Sequence, residues 1–161
     1  MSETIIRPAR SADSGALGRL GALLVQTHHD FDPKRFIAVT PQTEAGYGTF
    51  LVSQLDEPTV IVLVGEEDGR VIGYTYAAVE GRDYMSLRGP AGVLYDIIVD
   101  PAHRGRGIGR RLLEATLAIL KERGAPRAVL STADRNERAQ RLFAGMGFRR
   151  TMIEMTRELS D

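Results

Sequence analysis

Four arginines and three glycines fall within the eight residues Arg104-Gly105-Arg106-Gly107-Ile108-Gly109-Arg110-Arg111. This stretch lies between an apolar run, Val93 to Val99, and an apolar-periodic run, Leu112 to Leu120. A strand that breaks into such a turn and then opens a helix is an anion cradle. Its glycines let backbone N–H groups approach the anion, and the helix N-terminus adds partial positive charge. The ligand it points to is a phosphate or pyrophosphate. Two phosphate-binding patterns fail. No segment has the Gly, four residues, Gly-Lys-Ser/Thr spacing of a P-loop. The dinucleotide fingerprint Gly-x-Gly-x-x-Gly would need glycine where Arg110 or Leu112 stands. It also belongs after a first strand, and this loop follows roughly the fourth.

The elements that must position this loop can be read in order. Thr4 to Arg7 reads as a short strand stopped by Pro8, and Ala16, Leu17, Leu20, Leu23 and Leu24 share a helical face that fades near His28-His29-Asp30. Thr43 to Leu55 is a second helix, weakened by Gly46 and Gly48. Val60 to Val64 and Val71 to Ala77 form a hairpin across Glu67-Asp68-Gly69-Arg70. Val93 to Val99 is the next strand, then a helix from Gly109 to Arg123 closed by Gly124, and a strand from Ala128 to Thr132. Asn136 to Met146 is the last helix, and Phe148 with Met152 to Met155 predicts a final strand. The fold class is α/β: a mixed, mostly antiparallel sheet flanked by helices, as one domain over residues 1–161.

Composition narrows the function. Lys+Arg and Asp+Glu are both 21, so zero net charge gives no bulk argument for a nucleic-acid or membrane partner. The absence of cysteine excludes a disulfide framework, a thiolate metal site and a cysteine nucleophile. His28, His29 and Asp30 are consecutive and cannot all point one way on a helix, so no metal is expected. No apolar run approaches the ~18–20 residues of a membrane span. The polar N-terminus predicts no secretory signal, and a cytoplasmic location is expected.

Arg104-x-x-Gly107-x-Gly109, set in Val99 to Gly109, resembles the central signature of the GNAT family of N-acetyltransferases. Asn136-x-x-Ala139-x-x-Leu142-Phe143-x-x-x-Gly147-Phe148 is similar to its C-terminal signature. The two occur in order, and the resemblance runs from Ile5 to the last strand. It implies acetyl-CoA as co-substrate and a central strand that splays from its neighbour. The pyrophosphate would accept from backbone N–H groups of Arg106 to Arg110, a loop built of Gly105, Gly107, Ile108 and Gly109. Arg104 and Arg106 would contact phosphates. The pantetheine arm would pair with the edge Ile97-Ile98-Val99, and a backbone N–H of Val99 or its neighbour would polarise the thioester. Asn136 matches the family asparagine at the pantetheine or a nearby water; it also reads as a helix N-cap.

Acetyl transfer to an amine requires loss of the ammonium proton, polarisation of the thioester oxygen and stabilisation of the leaving thiolate. The family tyrosine that protonates the thiolate is matched by Phe143, which has no proton to give. Tyr84, Tyr95 or a water must substitute, or the thiolate leaves unassisted. Three base positions known in the family hold Ser131, Val93 and Tyr95, none a carboxylate. Asp96 remains as the acid on the central strand, facing opposite to Tyr95 by alternation. Asp96 and Tyr95 are thus the candidate catalytic residues. Glu80, Asp83, His28 and His29 come from regions that form the acceptor site in the family. The acceptor implied is an amine of a small molecule, peptide or protein. A non-catalytic acyl-CoA-binding module is the alternative, and homodimerisation through the C-terminal strand is a further family expectation. Gly107→Asp places a carboxylate at the pyrophosphate and is expected to abolish acetyl-CoA binding in a calorimetric titration; wild-type affinity would refute the assignment.

Overall fold

The apolar runs assemble side by side in the order in which they occur. In the computed structural model, which describes residues 2–160, the sheet order is β1 (Ile5–Pro8), β2 (Val60–Glu67), β3 (Arg70–Glu80), β4 (Ala91–Val99) and β5 (Ala128–Leu130). The pairs β1–β2, β2–β3 and β3–β4 are antiparallel and β4–β5 is parallel. Asp68 (φ 51°) and Gly69 (φ 75°) make the β2–β3 turn. Two left-handed residues in a two-residue loop match the twist of the strands they join.

Helices α1 (Ser14–Phe31) and α2 (Thr43–Ser53) cover one face of the sheet, and α3 (Ile108–Glu122) and α4 (Glu137–Gly145) cover the other. Leu17, Leu20 and Leu51 pack on Val64, Tyr74 and Ile98. Leu112, Leu113 and Phe143 pack on Leu63, Ala77 and Leu94. Helix α1 does not fade at His28 but runs on to Phe31, ending where Asp32 precedes Pro33 and turns extended (φ −153°). A residue before proline is disfavoured in helical geometry.

The glycines that weaken α2 in isolation are what lets it pack. A Cβ on Gly48 would lie 2.4 Å from the Ser14 carbonyl oxygen, and one on Gly18 would lie 2.2 Å from that of Glu44. The two helices therefore meet backbone to backbone. The Tyr47 ring lies where a side chain on Gly21 would be.

The predicted last strand is absent. Phe148 packs on Phe143 with ring centroids 5.9 Å apart. Residues 149–160 then run without strand pairing, leaving Met152, Ile153 and Met155 at 75%, 78% and 90% exposure. The apolar residues of this segment suit a strand, but a strand needs an adjacent edge to bond. Its side-chain link to the rest of the chain is an ion pair from Glu154 to Arg35. Among the described residues no helix is long and apolar enough to cross a membrane.

Gly18→Ala is expected to cost about 1–3 kcal/mol, since backbone on the facing helix cannot yield as a side chain would. It should lower the melting temperature by several degrees, whereas Gly15→Ala, with no atom within 4 Å of an added Cβ, should not lower it.

Candidate active site

Strand β4 keeps its β3 partner along its length but loses β5 early. The parallel ladder covers only Gly92–Ala128, Val93–Val129 and Leu94–Leu130. Beyond Leu94 the two strands part, and a cavity of about 850 Å³ opens between the β4 edge, α1 and the starts of α3 and α4. That size suits a drug-sized ligand.

A β-bulge sits where the strands part. Asp96 pairs with Tyr76 and Leu94 with Ala77, so Tyr95 is an extra residue on β4. This overturns the alternation read from the sequence. Leu94 joins Val99 in the core beneath α3. Asp96 reaches tyrosines of the α1 side, and the Tyr95 ring meets Tyr76 of that same side, with centroids 4.8 Å apart. Two residues opposing one re-aim the side chains that follow. Asp96 and Tyr95 therefore work on one face.

Asp96 is the chemically distinctive group. The phenols of Tyr47 and Tyr74 both donate to its Oδ2, at 2.6 and 2.8 Å. Both bonds go to one oxygen, and Asp96 lines the cavity, so Oδ1 is the oxygen left for a ligand. Burial pushes its carboxyl above the usual aspartate range, against the pull of the two tyrosine bonds and of nearby His28. Burial, then the Asp96 charge, raises the pKa of both phenols, which stay protonated donors. Tyr95 is committed elsewhere. Its hydroxyl donates to Glu80, and burial with that bond raises its pKa. Arg88 pairs with both Glu80 and Asp83, so these acids serve the β3–β4 loop.

The glycine-arginine loop is open at two left-handed glycines. Gly105 and Gly107 both have φ 78°, and nothing lies within 4 Å of a Cβ added to either, so the loop presents an open face. Gly107 is the N-cap of α3. Gly105, Gly107, Ile108, Gly109 and Arg110 line the cavity, as does Arg104, whose Nε donates to the Val99 carbonyl at 3.0 Å. Arg106 differs: its guanidinium pairs with Glu67 at 3.0 Å, outside the cavity lining, which leaves its backbone in the loop. Ile97, Ile98 and Val99 form the open β4 edge. Asn136 and Phe143 close the far side, with Asn136 Oδ1 accepting from the Ala139 N–H at 3.2 Å as the α4 N-cap.

The histidine pair separates. His28 Nδ1 lies 2.8 Å from the Leu24 carbonyl, and His29 Nδ1 lies 2.9 Å from that of Phe36. A carbonyl only accepts, so Nδ1 carries the proton in each neutral ring. His28 lines the cavity with Phe31 and Phe36, and His29 pins the loop that follows α1. Sequence reasoning missed Tyr47, Tyr74 and this aromatic wall. No spacing joins residues 47, 74 and 96; the bulge and the Gly18–Gly48 crossing do.

The Acetyltransferase (GNAT) family model matches residues 24–148. A mycothiol acetyltransferase of Thermobispora bispora is 35% identical over 57% of this chain and 31% of its own length. The chain thus spans about three tenths of that relative. An uncharacterized N-acetyltransferase of Bacillus subtilis, YhfO, is 27% identical over 89% of this chain and 88% of its own. Among solved structures, a mutant of the BH1408 protein of Bacillus halodurans superimposes with TM-score 0.83 at 23% identity, covering 97% of this chain and 99% of that one. The aminoglycoside N-acetyltransferase AAC(6')-Iy in complex with CoA gives 0.72 at 18% identity, covering 99% and 97%. At such identity the likeness concerns the fold. The family match extends over well more than half of the sequence and takes in the parted strands, the glycine loop and the α4 cap: this chain belongs to the acetyltransferase (GNAT) family.

Proposed function

We propose that this protein is an acetyl-CoA-dependent N-acetyltransferase that moves acetyl directly to a primary amine. The observation that carries the reading is Asp96. A carboxylate held by two phenols stands beside an unpaired strand edge, in the cavity that also holds the glycine loop.

The residues present suit the co-substrate. The open loop at Gly105 and Gly107 is the cradle that a pyrophosphate would fill, and the free β4 edge is a ladder that an amide-bearing arm would extend. Acetyl-CoA supplies an acetyl thioester. A backbone N–H of Val99 or its neighbour would donate to its carbonyl oxygen. Asp96 holds the acceptor ammonium through Oδ1 and takes one proton. The freed nitrogen lone pair forms the N–C bond, the C–S bond breaks, and the sulfur leaves with its electron pair. A second proton passes from the nitrogen to the thiolate through solvent, since Phe143 has none to give. Arg104, bonded to the Val99 carbonyl, holds the strand end against the loop and faces the phosphates.

With this reading go a single acetyltransferase domain in the residues described, a cytoplasmic location and homodimer pairing through the C-terminal segment. The exposed Met152, Ile153, Met155 and Leu159 support the pairing.

Purified protein should bind acetyl-CoA but not NADH by calorimetry and release thiol when amines are added. Asp96→Asn should keep acetyl-CoA affinity and lose turnover by about a hundredfold or more. In the wild type kcat/KM should fall with acidification through a pKa above the ordinary aspartate range, because the ionised form is the base. Stability has the opposite sign. A carboxyl raised in the folded state loses stability as pH rises through its folded pKa. Asp96→Asn should therefore raise the melting temperature at neutral pH, with the gain vanishing below the pKa of an unfolded aspartate. A variant that melts lower at neutral pH would contradict this account of Asp96.

A further inference from the structure

We propose that the acceptor for this site is a primary arylalkylamine: one cationic nitrogen on a flat apolar body. The inference rests on the acetyl-transfer reading and narrows its acceptor.

Charge is the first argument. Two carboxylates line the cavity, Asp96 and Glu137. Glu137 stands in the first turn of α4, its side chain 82% exposed and facing Arg141 at 3.8 Å. Asp96 is thus the one enclosed anion. Glu80 and Asp83 are engaged by Arg88 and lie outside the lining. Arg104, Arg110, Arg135 and Arg138 share the cavity. With Arg104 and Arg110 turned to the co-substrate's phosphates, a polyamine or aminoglycoside would still bring several ammonium groups to one carboxylate and to a wall where Arg135 bonds the Phe31 carbonyl. A monoamine brings one ammonium, which Asp96 Oδ1 satisfies.

The wall is the second argument. Leu24, His28, Phe31, Phe36 and Ile37 line the α1 side of the cavity. The His28 ring meets Phe31 and Phe36 edge-on, with centroids 6.0 and 5.1 Å away. A wall of such rings offers an incoming aromatic body the same edge-to-face contacts. Ile37 lines the cavity at 76% exposure, an apolar side chain that nothing in the chain covers. The wall is also held in place. His29 bonds the Phe36 carbonyl at 2.9 Å, Arg135 donates to that of Phe31 at 2.6 Å, and the Arg35 guanidinium covers Phe36 at 4.8 Å from its centroid. A pre-positioned apolar surface loses less on ordering when a ligand binds.

The test is calorimetry of 2-phenylethylamine, spermidine and kanamycin into protein saturated with CoA, after acetyl-CoA binding has been measured alone. The expected result is that 2-phenylethylamine binds at least about tenfold more tightly than either polycation, as burial of an aromatic body implies. Ile37→Asp, at an exposed position that the fold tolerates, should narrow that gap from both sides. If acetyl-CoA does not bind, the acetyltransferase reading itself falls. If it binds but 2-phenylethylamine does not, or spermidine or kanamycin binds as tightly, the acceptor assignment alone falls.

Discussion

Strand β4 is bonded along one edge for nearly all its length and along the other for three residues. The site depends on that asymmetry. An exposed strand edge carries backbone donors and acceptors that need partners. Here the edge faces a cavity instead of a strand, so a ligand with amide groups would find a ladder to extend. The bulge at Tyr95 sits at the fork and turns Asp96 and Tyr95 onto one face. Remove the fork and there is neither a place for the co-substrate nor a channel from the acceptor to it.

Much of this was legible in the residues. The glycine-arginine loop, the Asp68-Gly69 hairpin and α3 all follow from local rules that act over a few positions. The α4 cap by Asn136 is of the same kind. What was not legible depends on contacts between distant segments. The bulge shifts the phase of β4 with no glycine to announce it, so simple alternation put Tyr95 and Asp96 on opposite faces. Gly48 looked like a defect in α2 and is instead its point of contact with α1. Arg106 looked like a phosphate ligand, yet Glu67 from the neighbouring hairpin takes its side chain. The tail from Met152 to Met155 has the apolar residues of a strand without a pairing edge.

Two buried carboxylates show how the same residue type serves opposite ends. Asp13 accepts from Arg7, which also pairs with Glu66, and the Arg7 bond holds the Asp13 carboxyl below its usual range. Its charge is welcome in the folded state and ties β1 to the turn before α1. Asp96 has two phenols and nearby His28, but no guanidinium, to offset its burial, and its carboxyl is pushed up. The fold tolerates this unfavourable charge at the one place where a cation would relieve it. Such an imbalance marks a group kept for chemistry rather than for stability.

The strand order has a kinetic meaning. Every strand pairs with its neighbour in the chain, but the connections differ: β2–β3 closes over two residues and β3–β4 over residues 81–90, whereas β1–β2 spans α1 and α2. The parallel β4–β5 pair must wait for the whole crossover through α3, from residue 100 to 127. Loop closure favours the short connections first. The meander that presents Asp96 can therefore form early, and the half that holds the phosphate loop docks against it late. A co-substrate bridging the two halves stabilises the last contact to form, which is also the first to break. Its presence would lengthen the life of the folded state by holding shut the seam through which the protein opens.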